Sequence, residues 1–222
     1  MLRTAGAETY DQWVDHEIPF NDPAVESAVD KVGDILKNED YVNGGFGDVR
    51  SIATTPFGDA GLPILEGECF LHRQASFYAS FWPEGTTIAE DGDVYAFYFP
   101  GTADTEGKPV LGGGEFVVAF ADRPEVQAVQ TYLSSPEFVN ARAKAGPFTS
   151  ANTGLELESL GDNEIGKLTV EILQDPEAEF RFDASDLMPA AVGAGSFWKG
   201  MTDWINGAET ADVLAEIEST FP

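Results

Sequence analysis

Short apolar runs alternate along this chain with stretches of helical periodicity, and that alternation points to a mixed α/β fold. Val25, Val29, Val32 and Leu36 recur at helical spacing behind Asp22-Pro23, an N-cap followed by proline at the first helical position. They predict a helix to about Lys37. Asn43-Gly44-Gly45 then breaks the chain. Residues 51–65 read as mostly helical, with interruptions at Pro56 and Pro63. Residues 69–72 read as a short buried strand, 93–99 (DVYAFYF) as an aromatic-rich strand ended by Pro100-Gly101, and 115–120 as a third strand, with a loop over 102–114. Helices are expected over 125–133 and 136–145, divided by Ser135-Pro136, and after the loop GPFTSANTG over 164–173, 196–205 and 211–219. Helix exceeds strand, and neither an internal repeat nor a low-complexity tract interrupts the pattern.

The charge limits the partners. Twelve basic residues stand against 39 acidic ones, a formal charge of −27. Such a surface repels phosphate backbones and anionic headgroups, so nucleic acid and anionic membrane are excluded as partners. The charge reads as a solubilising or salt-adapted surface rather than as a cation site, and no metal or cofactor is expected. Aromatic residues make up 12 % of the chain, so the acidity does not signal disorder. With 43 % apolar residues, 222 residues can build one large core or two small ones. The single cysteine, Cys69, excludes an internal disulfide, and its apolar surroundings (ECFLH) suggest a buried structural thiol. No signal peptide, membrane-length apolar run or lipid-attachment cysteine lies near Met1, and apolar and aromatic positions begin at once (Leu2, Tyr10, Trp13, Val14, Ile18, Phe20). The expectation is a C-terminal portion of a longer protein, with Met1 an internal or misassigned start.

Three places carry candidate chemistry. His72-Arg73-Gln74 stands where a strand gives way to a helix, the usual ligand position in open α/β folds. A guanidinium fork and a carboxamide are suited to bridging neighbouring hydroxyls. The plainer account pairs Arg73 with a carboxylate, makes Gln74 a helix cap and leaves His72 a satisfied interior group. Trp198 follows Phe197 on a helix whose core stripe is Phe197, Met201, Trp204 and Ile205. One residue is a turn of about 100°, so Trp198 need not face the core and can offer its ring to the C–H face of a pyranose. The alternative is that both aromatics are core. Tyr78, Phe81 and Trp82 make a second aromatic platform, in which Phe81 is expected to be core. Gly112-Gly113-Gly114 is read as a close backbone approach to ligand near a hinge, or else as a plain flexible crossing. The pair Asp91 and Asp93 is too sparse for a calcium loop. Catalysis finds no support: the only histidines are His16 and His72, and no nucleophile-elbow, zinc or phosphate-loop spacing occurs.

The C-terminus adds a family likeness. From Asp186 it reads DLMPAAVGAGSFWKGMTDWINGAETADVLAEIESTFP: an apolar lead with proline, a small-residue stretch, the Phe197-Trp198 pair, a short helix, a turn at Gly207 and a last amphipathic helix. This resembles the extracellular solute-binding proteins of carbohydrate ABC importers, the maltose-binding-protein-like family, in their α-glucoside-type branch. The stretch GKPVLGGGEFVVAFADRPEVQAVQTYLSSPEFVNARAKAGPFTSANTG is similar to that family's return passage across the hinge. The resemblance spans all 222 residues but about half of a typical member. It implies a helix-rich α/β fold of periplasmic-binding-protein type II. Residues 1–99 and 156–222 would form the second lobe, and 102–155 the hinge crossing with a strand and two helices of the first.

It also implies a function: binding a neutral sugar or oligosaccharide, without catalysis, for delivery to membrane permease subunits. The intact protein would be an extracellular or periplasmic monomer, anchored as a lipoprotein by a signal absent here. Trp198 would stack on the sugar, with Arg73, Gln74, His72, Gly113 and Trp82 as further ligand contacts. Two other classes stay open at this point, a glycoside-active enzyme using paired carboxylates and a non-catalytic protein-interaction module.

Overall fold

The computed structural model describes residues 1–42, 47–102, 107–146 and 148–222. The expected break at Asn43-Gly44-Gly45, part of the 102–114 loop and Pro147 of the GPFTSANTG loop lie outside the described residues. The described residues form a helix-rich α/β protein with one small two-stranded sheet. It divides into two compact units, the first formed by Met1–Arg73, Pro100–Gly112 and Glu179–Pro222, the second by Gln74–Phe99 and Gly113–Ala178.

The first unit holds α1 (Leu2–Val14), α2 (Pro23–Leu36), the strands β1 (Lys108–Gly112) and β2 (Ala178–Phe182), and the C-terminal helices α6 (Ala184–Leu187), α7 (Phe197–Ile205) and α8 (Thr210–Glu218). Gly6, at φ +84°, interrupts α1 near its start, a conformation that glycine adopts without strain. The Asp22 carboxylate accepts the Ala24 N–H at 2.8 Å and caps α2 as its sequence predicts. β1 and β2 run parallel: their C-terminal ends meet where the Asp183 N–H donates to the Gly112 carbonyl at 3.0 Å, and their N-terminal ends where Gly107 packs on Glu179. Tyr10 fastens α1 to this pair by donating to the Phe182 carbonyl at 2.6 Å. Arg181 grips Asp11 with two N–H groups, at 2.6 and 2.8 Å.

The core of this unit is an aromatic cluster set against the C-terminal helices. Phe20 is fully buried, its ring 5.2 Å from Trp13 and 5.0 Å from Phe197. Val25, Met188, Val192, Trp204, Val213, Leu214 and Ile217 complete the packing. The buried Trp13 indole N–H has no acceptor among the described residues, and the ring packing outweighs a cost of about 1–3 kcal/mol. Gly200 lets α7 lie against α8; a Cβ there would come within 2.8 Å of Ile217.

The second unit is smaller. Its helices are α3 (Pro124–Leu133), α4 (Pro136–Lys144) and α5 (Glu164–Gln174), around Val139, Ala143, Leu155, Leu160 and Val170. Ser135 caps α4 and Asn163 caps α5, each through a side-chain oxygen that accepts a main-chain N–H. Asn140 staples the following loop to α4, donating to Gly154 at 2.8 Å while accepting from the Glu156 N–H at 2.9 Å.

Strand expectations fare worse than helix expectations. Residues 69–72 form no strand and are not buried as a run, since Phe70 is 92 % exposed; Cys69 is half-buried, its thiol donating to the Leu71 carbonyl. Among the described residues, 93–99 make an isolated bridge, Val94 with Ile88, and 115–120 form no strand. β1 lies where the sequence suggested loop. Within 51–65 the structure has only 3-10 turns, Val49–Ala53 and Leu62–Ile64. Apolar runs become strands only when a neighbouring strand takes up their main-chain groups.

Two variants test the first unit. Phe20→Ala empties the centre of the aromatic cluster and should cost about 3–5 kcal/mol in urea unfolding. Glu218 accepts the Phe20 N–H at 2.6 Å and faces His16 Nε2 at 3.1 Å. Burial works to raise its pKa, but those two partners prevail and hold it below the usual carboxylate value. The stability that Glu218 contributes is therefore present above the unfolded-state pKa and is lost as pH falls through the lower folded value. Glu218→Gln should be less stable than the parent at pH 7, with the difference closing toward pH 3 in the same unfolding experiment.

Candidate functional site

Trp198 stands where the sequence suggested, on the outside. Val192–Ser196 forms one π-helical turn that leads straight into α7. Its second residue, Gly193, passes so close to α6 that a Cβ would lie 2.0 Å from the Ser185 carbonyl oxygen. Such turns are frequent at functional sites because an extra residue rotates everything downstream. Phe197 is thereby turned onto Trp13 and Phe20, and Trp198, one residue further, is 76 % exposed. The expected stripe holds: Trp204 and Ile205 are buried, and Phe197 and Met201 pack against the core. Lys199 lies beside the indole in sequence, its ammonium 2.5 Å from Asp203 and 3.5 Å from Glu216. The arrangement offers an open aromatic face on a helix fixed from below, with a charged hydrogen-bonding fringe.

The other predicted residues are dispersed. His72, Arg73 and Trp198 belong to the first compact unit, whereas Gln74, Trp82 and Gly113 belong to the second. The chain passes from one unit to the other after Arg73 and again after Gly112, so both predicted clusters straddle a crossing. His72 is half-buried, and burial holds its imidazole below the ordinary value, leaving it neutral at pH 7. Arg73 and Gln74 are exposed. The Gln74 carbonyl oxygen accepts the Ala75 N–H at 2.9 Å, so part of this side chain serves the 3-10 turn Ser76–Phe81, as the plainer account had it. In that turn Tyr78 is the buried ring, T-stacked on half-buried Trp82 at 5.0 Å. Phe81, expected in the core, is exposed. The glycine run has two roles. Gly112 is required by packing, since a Cβ would lie 2.6 Å from the Phe180 ring, while Gly113 is exposed and a Cβ at Gly114 would meet nothing within 4 Å.

Two open concavities lie elsewhere. One, of about 410 Å³, follows the polar face of α2 (Glu26, Ser27, Asp30, Lys31, Asp34) and offers no ring for stacking. The other, of about 320 Å³, is apolar and lies between residues 117–119 and α3. The sequence reading missed the exposed aromatics Tyr95 and Phe97, which stack on each other at 6.2 Å. Their signal lies in DVYAFYF, whose aromatic content reads as strand composition. Among the described residues, no helix is long and apolar enough to cross a membrane.

The exposure of the four tryptophans gives a direct check. Trp13 and Trp204 are buried, Trp82 is half-buried and Trp198 is open. Acrylamide should quench the parent's fluorescence strongly, and Trp198→Phe should remove most of the quenchable component.

Two curated proteins match the chain from end to end. It is 41 % identical over 224 residues to the osmoprotective compounds-binding protein GgtB of Synechocystis sp., covering 100 % of this chain and 51 % of that protein. It is 39 % identical over 225 residues to the alpha-glucosides-binding periplasmic protein AglE of Rhizobium meliloti, covering 100 % of this chain and 48 % of that protein. The chain thus spans about half the length of the curated relatives it matches. Both are named as binding proteins, neither as an enzyme. No family model matches the chain, and no solved structure does.

Proposed function

We propose, from the premise that this chain is homologous over its whole length to half of two solute-binding proteins, that it belongs to the substrate-binding component of an ABC importer. Its ligand is a neutral sugar or oligosaccharide of the α-glucoside kind, or a chemically related osmoprotective compound. The full-length identity near 40 % to an α-glucoside binder carries this reading. The exposed indole of Trp198, held on a helix with Phe197 locked beneath it, supports it with a surface suited to the apolar face of a pyranose. The formal charge of −27 favours a neutral ligand over an anion.

In the intact protein the fold is the type II periplasmic-binding-protein fold. Residues 1–99 and 156–222 contribute the second lobe, and residues 102–155 the hinge crossing with a strand and two helices of the first. Two lobes close on the sugar by hinge bending, and the closed form is presented to the membrane permease. Trp198 stacks on the ring, while Arg73 and Gln74 hydrogen-bond hydroxyls; His72, Gly113 and Trp82 are further contacts. The protein is extracellular or periplasmic, lipoprotein-anchored and monomeric.

Calorimetric titration tests the reading. The 222 residues alone should bind maltose, sucrose and trehalose weakly or not at all, because one wall of the cleft lies outside them; micromolar binding would overturn that division. Combined with the half of AglE that this chain does not match, they should bind one of these sugars. Trp198→Ala should then weaken binding about tenfold, or about 1.4 kcal/mol. Turnover of a chromogenic glucoside, abolished by a single Asp or Glu substitution, would replace this reading with an enzymatic one.

A further inference from the structure

The π-helical turn before α7 holds one more residue than an α-helix would, and something must keep that residue in place. The Phe197 N–H reaches back to the Val192 carbonyl, one residue further than in an α-helix. Were the extra residue lost, Phe197 would take the outward position of Trp198, and Ser196 would face Trp13 and Phe20. Burial of Phe197 opposes that exchange. Burial is not directional, however, so the finer angle of α7 about its own axis is left to directional contacts. Two contacts bracket the turn. At its start Gly193 packs on the Ser185 carbonyl. At its end Ser196 meets Thr220, in the segment after α8, with their hydroxyl oxygens 2.7 Å apart.

Thr220 is a fixed point. Its N–H and its hydroxyl both donate to the carbonyl of fully buried Ile217, at 3.0 and 2.7 Å. A hydroxyl carries one hydrogen, so Ser196 must be the donor in its pair with Thr220. The Ser196 hydroxyl is available for this because it caps no main-chain N–H of α7. Beside Thr220 the ring of Phe221 stacks on His16 at 3.7 Å, and Glu218 accepts the Phe20 N–H at 2.6 Å. The segment that carries Thr220 is therefore fastened to the same core that holds Phe197 inward. We infer that Thr220 is a positioning residue for Trp198. It accepts from Ser196, keeps the π-helical turn in register and so sets the direction in which the indole is offered. The inference rests on the reading of Trp198 as the stacking surface for ligand. The pair lies at the surface, where one hydrogen bond adds little to overall stability, so its loss is separable from unfolding.

Fluorine NMR of the chain labelled with 5-fluorotryptophan tests it, because each of the four indoles gives its own signal and Trp198→Phe assigns one of them. Thr220→Val keeps the side-chain shape and removes the acceptor, while Ser196→Ala removes the donor. Each should shift and broaden the Trp198 signal and leave those of Trp13 and Trp204, and the helix content, unchanged. Ser219→Ala removes a neighbouring hydroxyl that donates to the Glu216 carbonyl instead, at 2.7 Å, and should move no signal. A Trp198 signal indifferent to both variants would overturn the inference, as would all four signals moving together. In a chimera in which this chain replaces the matched half of AglE, Thr220→Val should weaken sugar binding about fivefold. In the Trp198→Ala background it should cause no further loss. Equal losses in both backgrounds would also overturn the inference. A chimera that binds none of maltose, sucrose and trehalose would count against the functional reading instead, and the fluorine signals would still decide the role of Thr220.

Discussion

The contact on which the first unit depends is the burial of Phe20 between Trp13 and Phe197. Phe20 sits in the turn between α1 and α2, Phe197 opens α7, and Glu218 at the end of α8 accepts the Phe20 N–H. One residue thus ties the N-terminal helices to the C-terminal pair. His16 reinforces the knot by stacking on Phe221 at 3.7 Å while facing Glu218. The consequence for function is geometric. With Phe197 committed inward, the 100° step of the helix commits Trp198 outward, and the π-helical turn before it sets where that step begins.

The two units differ in how completely they satisfy their own sequence. The first buries aromatic and aliphatic side chains from α1, α2, α7 and α8 and closes a parallel strand pair. The second buries a modest cluster around Val139 and Val170, and residues 95–99 and 115–120 form no strand among the described residues. A sheet is a cooperative object: a strand without a neighbour retains its propensity but forfeits its ladder and its cover. The acidic surface adds a uniform cost. Twelve cations cannot neutralise 39 carboxylates, and ion pairs such as Arg181–Asp11 and Lys199–Asp203 act as local fastenings.

The helices were legible because their signals are local. Asp22-Pro23, Ser135-Pro136 and the apolar spacing of α5, α7 and α8 each determine a start or a face from within a few residues. The outward position of Trp198 was legible for the same reason, being one helical step from a core residue. β1 was not legible, because KPVLG next to a glycine run looks like loop until Phe180 is seen packing on Gly112. The division of the candidate contacts between two compact units was hidden at Arg73-Gln74, where the crossing leaves no local mark, whereas the glycine run at Gly112-Gly113 does mark one.

The sequence by itself determined the helical framework, the caps and the acidic exterior, which follow from residue type and short-range spacing, while the likeness to binding proteins came from resemblance to a known family. Only the tertiary structure decided that Phe20 is the keystone, that Gly193 and Gly200 permit close helix approach, and that KPVLG rather than the apolar 115–120 becomes a strand. Those outcomes depend on contacts between residues far apart in the chain. A β-strand in particular is settled by what lies beside it, and no pattern within the strand can supply its neighbour.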